Sequence, residues 1–298
     1  MKLLKKIQRK LDEIDELFGV PETTLWTPIP DSPQDLAYHS EAQELLFGGM
    51  AGGGKTDLIV GLALTAHKRT LVLRRHSTDL SAMQARFRDI TGAIGSLSMK
   101  VGNDRLVEFG GCKDDSSKFK YKGQAHDLKA FDELSEWKQQ DYEYISAWNR
   151  TADPEQRCRI IATTNPPDTN DGKWIIERWA AWLDPSHPNP AKSGEIRWFL
   201  GNKEVENGDP VDGQIPRSRT FVRSSVRDNP YLLATGYDHL LDNLPEGLRE
   251  KLRDGDFTLS MDDAPRQLIP TGWIKEAQAR WTALEHEPLP PLSTIGCD

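Results

Sequence analysis

The stretch Leu45-Leu-Phe-Gly-Gly-Met-Ala-Gly-Gly-Gly54-Lys55-Thr56 decides how the rest of the chain is read. Leu45–Phe47 is a short apolar strand. Gly49, Met50, Ala51, Gly52, Gly53, Gly54, Lys55 and Thr56 then match the phosphate-loop pattern GxxxxGK[ST] in full. Glycines at this spacing let the backbone wrap a phosphate with its N–H groups turned inward, and the positive end of the following helix adds to the attraction. Lys55 is placed to reach the β- and γ-phosphates, and the Thr56 hydroxyl to bind Mg²⁺. The apolar spacing from Lys55 to His67 predicts the helix that such a loop must open. A Gly-rich turn before an unrelated helix would not need both flanks. The motif makes a nucleotide with Mg²⁺ the expected ligand.

Working outward, strands and helices alternate. Thr70–Leu73 reads as a strand, and a helix follows from about Thr78 to Ile90, capped by Ser77 or Thr78. Val101–Phe109 reads as a hairpin around Gly102-Asn-Asp104. Leu128–Phe131 and Arg159–Thr163 are strands, with a helix over Glu136–Asn149 between them. This order predicts an α/β fold with a mostly parallel central sheet flanked by helices.

Two further motifs bear on chemistry. Leu128-Lys-Ala-Phe-Asp132-Glu133 is a strand that ends in adjacent carboxylates. In a phosphate-loop site the first acid orders Mg²⁺ and the second takes the proton of the attacking water, so Asp132 and Glu133 fit those roles. Solvated acids opening a turn are the plain alternative. Lys129 is a blemish, since a fully buried central strand would not carry a free lysine. Ile160 to Pro167 is a strand ending in Thr163-Thr164-Asn165, whose polar groups could sit beside the γ-phosphate. A capped strand end before a proline turn explains it equally well.

Composition sets the outer limits. The chain has 298 residues, with 38 Lys+Arg, 46 Asp+Glu and a formal net charge of −8. No apolar run approaches the roughly 20 residues of a membrane span, and the basic start Met1–Lys6 lacks a following apolar region. Three cysteines without a CxxC pair make neither a disulfide framework nor a zinc site, so a reducing compartment fits best. The acidity excludes a uniformly basic DNA-coating protein, though not a local DNA-contacting patch. The basic residues Lys68, Arg69, Arg74, Arg75, Arg86 and Arg88 form such a stretch, with a solvated helix face as the default reading. The nine tryptophans, Trp174, Trp179, Trp182 and Trp198 among them, are better placed in packing than in base stacking.

Outside this core, Leu4, Ile7, Leu11, Ile14 and Phe18 mark an N-terminal amphipathic helix, either docked on its own domain or binding a partner. Pro21–Ser40 reads as an extended connection. After Thr169 come a Trp-rich helix over Asp171–Leu183, strands near Glu195–Leu200 and Arg219–Val222, and two short helices within Leu232–Asp254. Glu287–Ser293 is a Pro-rich linker.

Taken in order, these motifs resemble the ATPase portion of the large terminase subunit of tailed bacteriophages, over about Gln43 to Asp298. Phe47–Thr56 is similar to its Walker A loop and Leu73–Leu80 to its Arg-bearing segment. Tyr121–Asp127 through Phe131–Leu134 is similar to its Walker B approach, and Thr164-Asn165-Pro166 to its coupling motif. Arg227-Asp-Asn-Pro230 followed by Leu252-Arg-Asp-Gly-Asp-Phe257 resembles the signature at the end of the motor domain.

The resemblance implies a P-loop NTPase fold of the additional-strand type with a small lid subdomain. The expected divisions are 1–40 for the N-terminal helix and connection, 41–173 for the ATPase core, 174–286 for the lid and the end of the motor, and 287–298 for linker and nuclease start. It implies ATP hydrolysis, Mg-dependent, that drives double-stranded viral DNA into a procapsid. The partners it implies are portal protein, the small terminase subunit and a homo-oligomeric ring, with a monomer in isolation also allowed, in the cytoplasm of the infected bacterial host. Gln43 stands like the family's adenine-contacting Gln. Many relatives carry an Arg where this sequence has Ala51, so the charge-stabilising arginine must come from elsewhere, and Arg74, Arg75, Arg150 and Arg157 are candidates. Leu292–Asp298 looks like the first strand of a ribonuclease H-type nuclease, with Asp298 its first metal-binding carboxylate, or else is a plain tail. With the remaining nuclease acids absent from the sequence, DNA cutting is not expected. Another P-loop DNA-dependent ATPase or helicase, a small-molecule kinase, or a nucleotide-gated scaffold without turnover are the competing readings.

Overall fold

A computed structural model describes residues 25–167 and 172–257, with a few positions between 269 and 280. The N-terminal stripe Leu4–Phe18, the linker 287–293 and Asp298 lie outside the described residues.

Among the described residues one sheet runs through the molecule. Its strands are β1 (Glu44–Gly49), β2 (Arg69–Arg74), β3 (Ser98–Val101), β4 (Arg105–Gly111), β5 (Leu128–Phe131), β6 (Arg159–Thr164), β7 (Arg197–Leu200), β8 (Lys203–Val205) and β9 (Arg217–Ser224). The spatial order is β3-β4-β2-β5-β6-β1-β9-β7-β8. The block from β4 to β9 in that order is mutually parallel, whereas β3 and β7 pair antiparallel to its margins. The expected mostly parallel sheet is therefore what the chain builds.

Alternation along the strands explains the two layers. Leu45, Phe47, Val72, Leu128, Ala130 and Ile161 pack against Leu58, Ile59 and Leu62 of the helix Lys55–Thr65. Their neighbours Leu46, Leu71, Leu73, Phe131, Ile160 and Ala162 face the other side, where Trp137, Tyr142, Ile145, Trp174 and Trp179 complete the second core. Because β1, β5 and β6 are buried along their whole length, they read as largely apolar runs. Trp174 and Trp179 are core residues, in line with packing over stacking.

Several elements differ from expectation for identifiable reasons. Within the connection Pro21–Ser40, residues Pro33–His39 form a helix, because Ser32 caps it by accepting from the Asp35 N–H and Pro33 opens it. The Trp-rich helix splits into Lys173–Arg178 and Ala180–Leu183. Trp179 leaves helical geometry at the break, and its Nε1 donates to Thr220 O at 3.1 Å from a fully buried position. Of residues 174–286, expected as the lid and the end of the motor domain, 197–224 supply strands to the main sheet, and 225–257 lie over the phosphate loop. Lys129 is inside a central strand with no exposed surface, but it is not free: its Nζ donates to His126 Nδ1 at 3.2 Å. No helix of the described residues is long and apolar enough to cross a membrane.

Parallel strands give the sheet two unlike edges. Gly49, Arg74, Gly111, Phe131, Thr164 and Ser224 end their strands on one edge, and Glu44, Arg69, Leu128 and Arg159 begin theirs on the other. Ligands of open parallel sheets bind beyond the carboxyl ends of the strands.

Candidate nucleotide site

The phosphate loop leaves the carboxyl end of β1 and turns into the helix Lys55–Thr65 at Gly54, which caps that helix in the left-handed region at φ +78°. Only glycine takes that conformation without strain. Gly53 is required for another reason: a Cβ there would lie 2.8 Å from Ser224 Cβ on β9. The loop is held from outside by its neighbours. Met50 N–H donates to Ser224 O at 3.0 Å and Ala51 N–H to Leu252 O at 2.7 Å. Gly52 O accepts from Asn229 Nδ2 at 2.9 Å, and Gly54 O from Gln34 Nε2 at 3.2 Å. Segment 225–257, which carries the Arg227–Pro230 and Leu252–Phe257 runs, thus holds Ala51 and Gly52, while Ser224 and Gln34 hold the two ends of the loop.

Lys55 is buried and spans the loop, donating to Met50 O at 2.8 Å and to Asn165 Oδ1 at 2.6 Å. Burial pushes its pKa down, against the pull of Glu133 and Asp132. Asp132 follows β5 directly. Its Oδ1 accepts from the Thr163 hydroxyl at 2.7 Å, and its Oδ2 faces Arg74 Nη1 at 3.5 Å. The Glu133 N–H donates to the same Thr163 hydroxyl at 3.4 Å. Glu133 has φ +50° and ψ 65°, a left-handed conformation that costs a non-glycine residue energy. Loss of solvent around its carboxyl raises its pKa and the Asp132 charge adds to this, with Lys55 and Arg74 opposing. A carboxylate lifted in this way is a better proton acceptor near neutral pH than an ordinary one.

Beside the loop lies a cleft of about 580 Å³, lined among others by Ile29, Gln34, Gly54, Arg86, Asn229 and Tyr231. Asp57 ties its wall together, accepting from Trp26 Nε1 at 2.8 Å and from Arg86 Nε at 2.9 Å.

The carboxyl edge therefore gathers Lys55, Thr56, Asp132, Glu133, Asn165 and Arg74. The other expected residues fall elsewhere. Gln43 is at the opposite end of β1, where its Oε1 accepts from the Ser218 N–H at 3.1 Å. Six strand residues at roughly 3.3 Å each separate it from the loop. Arg75 reaches sideways to the buried Asp141 at 2.9 Å. Arg150 donates to Gly123 O, and Arg157 donates to Ser40 O and Ala42 O, both at the amino edge. Thr164 is buried, with its hydroxyl bonded to Asn165 O, and the hydroxyl that meets the acids is that of Thr163.

Gln34 lines the site and reading the sequence leaves it unassigned. The signal for it is Ser32-Pro33, a helix start that puts a glutamine beside the loop. The basic stretch Lys68–Arg88 is no patch. β2 carries Lys68 and Arg69 to one edge and Arg74 and Arg75 to the other, and Lys68, Arg69 and Arg86 pair with Asp153, Glu108 and Asp57.

No protein-family model and no curated protein matches the chain. Among solved structures it is similar to the large terminase of a thermophilic bacteriophage. In one crystal form of that protein the TM-score is 0.53 at 12% identity, over 78% of this chain and 55% of that one. In another form, in complex with ADP, the TM-score is 0.50 at 11% identity, over 78% and 54%. The chain spans about half the length of that terminase. At such identity the likeness is one of fold: this chain has the P-loop α/β fold seen in a phage large terminase.

Proposed function

We propose that this chain is the ATP-hydrolysing motor portion of a bacteriophage DNA-packaging terminase, acting on double-stranded DNA as part of a homo-oligomeric ring with portal protein and the small terminase subunit. The observation that carries it is the convergence of Lys55, Asn165, Asp132 and Glu133 at one strand edge beside a complete phosphate loop. The fold shared with a phage large terminase supports the packaging context.

ATP would lie with its phosphates against the loop and the helix N-terminus, and its base in the cleft beside Gln34 and Arg86. Gln34 takes the base-contacting role expected of Gln43. The residues present fit Mg²⁺: an exposed Thr56 opens the helix, and Asp132 presents a carboxylate whose one ion-pair partner among the described residues is Arg74 at 3.5 Å. Bound there, Mg²⁺ would neutralise phosphate charge.

Lys55 moves from Asn165 and Met50 onto the phosphates, so that nucleotide arrival frees the Asn165 amide. Asn165, joined to β6, then reports the state of the γ-phosphate to the strand end. Glu133 accepts the proton of the attacking water. Arg74 is the arginine best placed to offset developing charge in cis. Arg75 holds Asp141, whereas Arg150 and Arg157 face the far edge and could act only on a neighbouring copy.

Glu133→Gln tests the reading directly. It should keep nucleotide binding and lower kcat by about 10²–10⁴. Full turnover in that variant would refute the assigned mechanism. Zero turnover in the unaltered chain, with and without DNA, would favour a nucleotide-gated scaffold instead.

A further inference from the structure

We propose that the loop between β4 and β5, residues 112–124, is a docking face for the phosphate backbone of duplex DNA, an inference that rests on the motor function proposed above. The chain carries a formal net charge of −8, and much of its basic surface is already engaged. Lys68, Arg69, Arg86 and Lys138 each hold a carboxylate. Lys113, Lys120 and Lys122 have no ion-pair partner among the described residues, and all three are exposed.

The loop's own geometry turns them outward. Ser117–Tyr121 is a turn of 3₁₀ helix, in which residues three apart share a face. Lys118 and Tyr121 form that face and both are buried. Lys118 Nζ donates to Asp141 Oδ1 at 2.8 Å, and the Tyr121 hydroxyl to Gly111 O at 2.8 Å. Gly110 makes room for this, since a Cβ there would meet the Tyr121 ring Cζ at 3.1 Å. With 118 and 121 pinned inside, Phe119, Lys120 and Lys122 must face solvent. Phe119 is 56% exposed and rests against Tyr144, ring centroids 5.4 Å apart, an apolar surface between cations.

The acids of the loop serve its fold. Asp114 Oδ1 accepts from the N–H and hydroxyl groups of both Ser116 and Ser117, and Asp115 holds Lys138 at 2.7 Å. What remains is three exposed cations on and beside a pinned turn, a chemistry that engages DNA phosphates without reading sequence. The turn is also tied to the nucleotide edge. Asp141 accepts from Lys118 and from Arg75, and Arg75 follows Arg74, which faces Asp132. A DNA contact on this loop would bear on the edge where ATP is hydrolysed.

The test is binding of a fluorescent DNA duplex across a salt series, with ATPase rates measured in parallel. The variant is Lys113→Gln/Lys120→Gln/Lys122→Gln, and Lys192→Gln/Lys203→Gln, at two exposed lysines outside the loop, is the control. The triple variant should bind duplex on the order of tenfold or more weakly, with the log–log salt slope shallower by about 0.9 per lost phosphate contact. Its ATPase rate without DNA should match that of the unaltered chain. DNA affinity unchanged in the triple variant, or lowered equally in the control, would overturn the docking face. So would preference of the loop for single-stranded DNA. If the unaltered chain neither hydrolyses ATP nor binds duplex, the motor reading fails as well. If it does both and the triple variant binds duplex normally, the docking inference alone fails.

Discussion

The two edges of the sheet use the same residue types to opposite ends. At the amino edge Glu44 is buried and fully matched: Arg178 Nε donates to it at 2.6 Å, Arg219 Nε at 3.1 Å and the Tyr142 hydroxyl at 2.6 Å. Burial alone would raise its pKa, but Arg178 and Arg219 together hold it down at about 2. At the carboxyl edge Glu133 is half-buried, yet its strongest charge influence is another acid and its pKa moves up. One carboxylate is saturated and so fixes structure. The other is under-compensated, sits in a strained backbone conformation and so is available for chemistry. The residue type does not separate them; the direction of the strand does.

Removing each acid in turn should break that contrast most forcefully. Glu133→Gln should abolish most turnover with little loss of stability. Glu44→Ala should do the reverse, leaving the buried Arg219 and the half-buried Arg178 without this carboxylate and costing about 3–5 kcal/mol of folding free energy by chemical denaturation. Below the melting point its KM for ATP should match that of the unaltered chain. The pH dependence has a definite sign. With a folded pKa of about 2 against an ordinary value of 4.5, the Glu44 contribution is present above about pH 4.5 and lost as pH falls toward 2. A Glu44→Ala variant as stable as the parent at pH 7 would contradict the assignment of this cluster to structure.

The two glutamines sharpen the contrast on a smaller scale. Gln34 touches the phosphate loop and lines the cleft, whereas Gln43 is bound to Ser218 at the amino edge. Gln34→Ala should raise the KM for ATP several-fold, the loss expected for one or two hydrogen bonds of about 1 kcal/mol. Gln43→Ala should leave KM unchanged and cost about 1 kcal/mol of stability. The opposite pattern would return the base-contacting role to Gln43.

The glutamines also mark the limit of what one chain's sequence can tell. The phosphate loop, the acid pair after β5 and the alternation of strands and helices are local patterns, and local patterns are legible in one chain. Lys55, Asp132, Glu133 and Asn165 can be found that way. Which edge a polar residue occupies is not local. It depends on how far along a strand the residue lies, and Gln43 precedes its strand whereas Asp132 follows one. Arg150 and Arg157 lie at the amino edge of their own chain for the same reason, which leaves them only the role on a neighbouring copy. Thr163 and Thr164 differ by one place, and strand alternation turns only the first toward Asp132. The run 225–257 is the reverse case. Its motifs stand out in the sequence, but their work in bracing Ala51 and Gly52 is visible only in the fold.

Lys129 offers the finest test, because it places a titratable cation in the body of the sheet between the two edges. Its Nζ donates to His126 Nδ1 at 3.2 Å, and His126 Nε2 meets Glu108 Oε2 at 2.9 Å, so a half-buried carboxylate stands one residue removed from the amine. Burial lowers the Lys129 pKa to about 8, with Glu108 opposing and Arg150 assisting. In the unfolded chain the amine titrates at about 10.4. Between those values the unfolded chain keeps a proton that the folded chain has released. Stability must therefore rise with pH through that window, by about 3 kcal/mol when it is fully crossed. Lys129→Met keeps an apolar stem of similar length and removes the titration. The stability of the parent minus that of the variant should climb between about pH 8 and pH 10, with the many surface lysines cancelling in the difference. Parallel curves would mean that Lys129 stays charged at an ordinary pKa, and that the middle of this sheet tolerates a full charge as readily as its edges do.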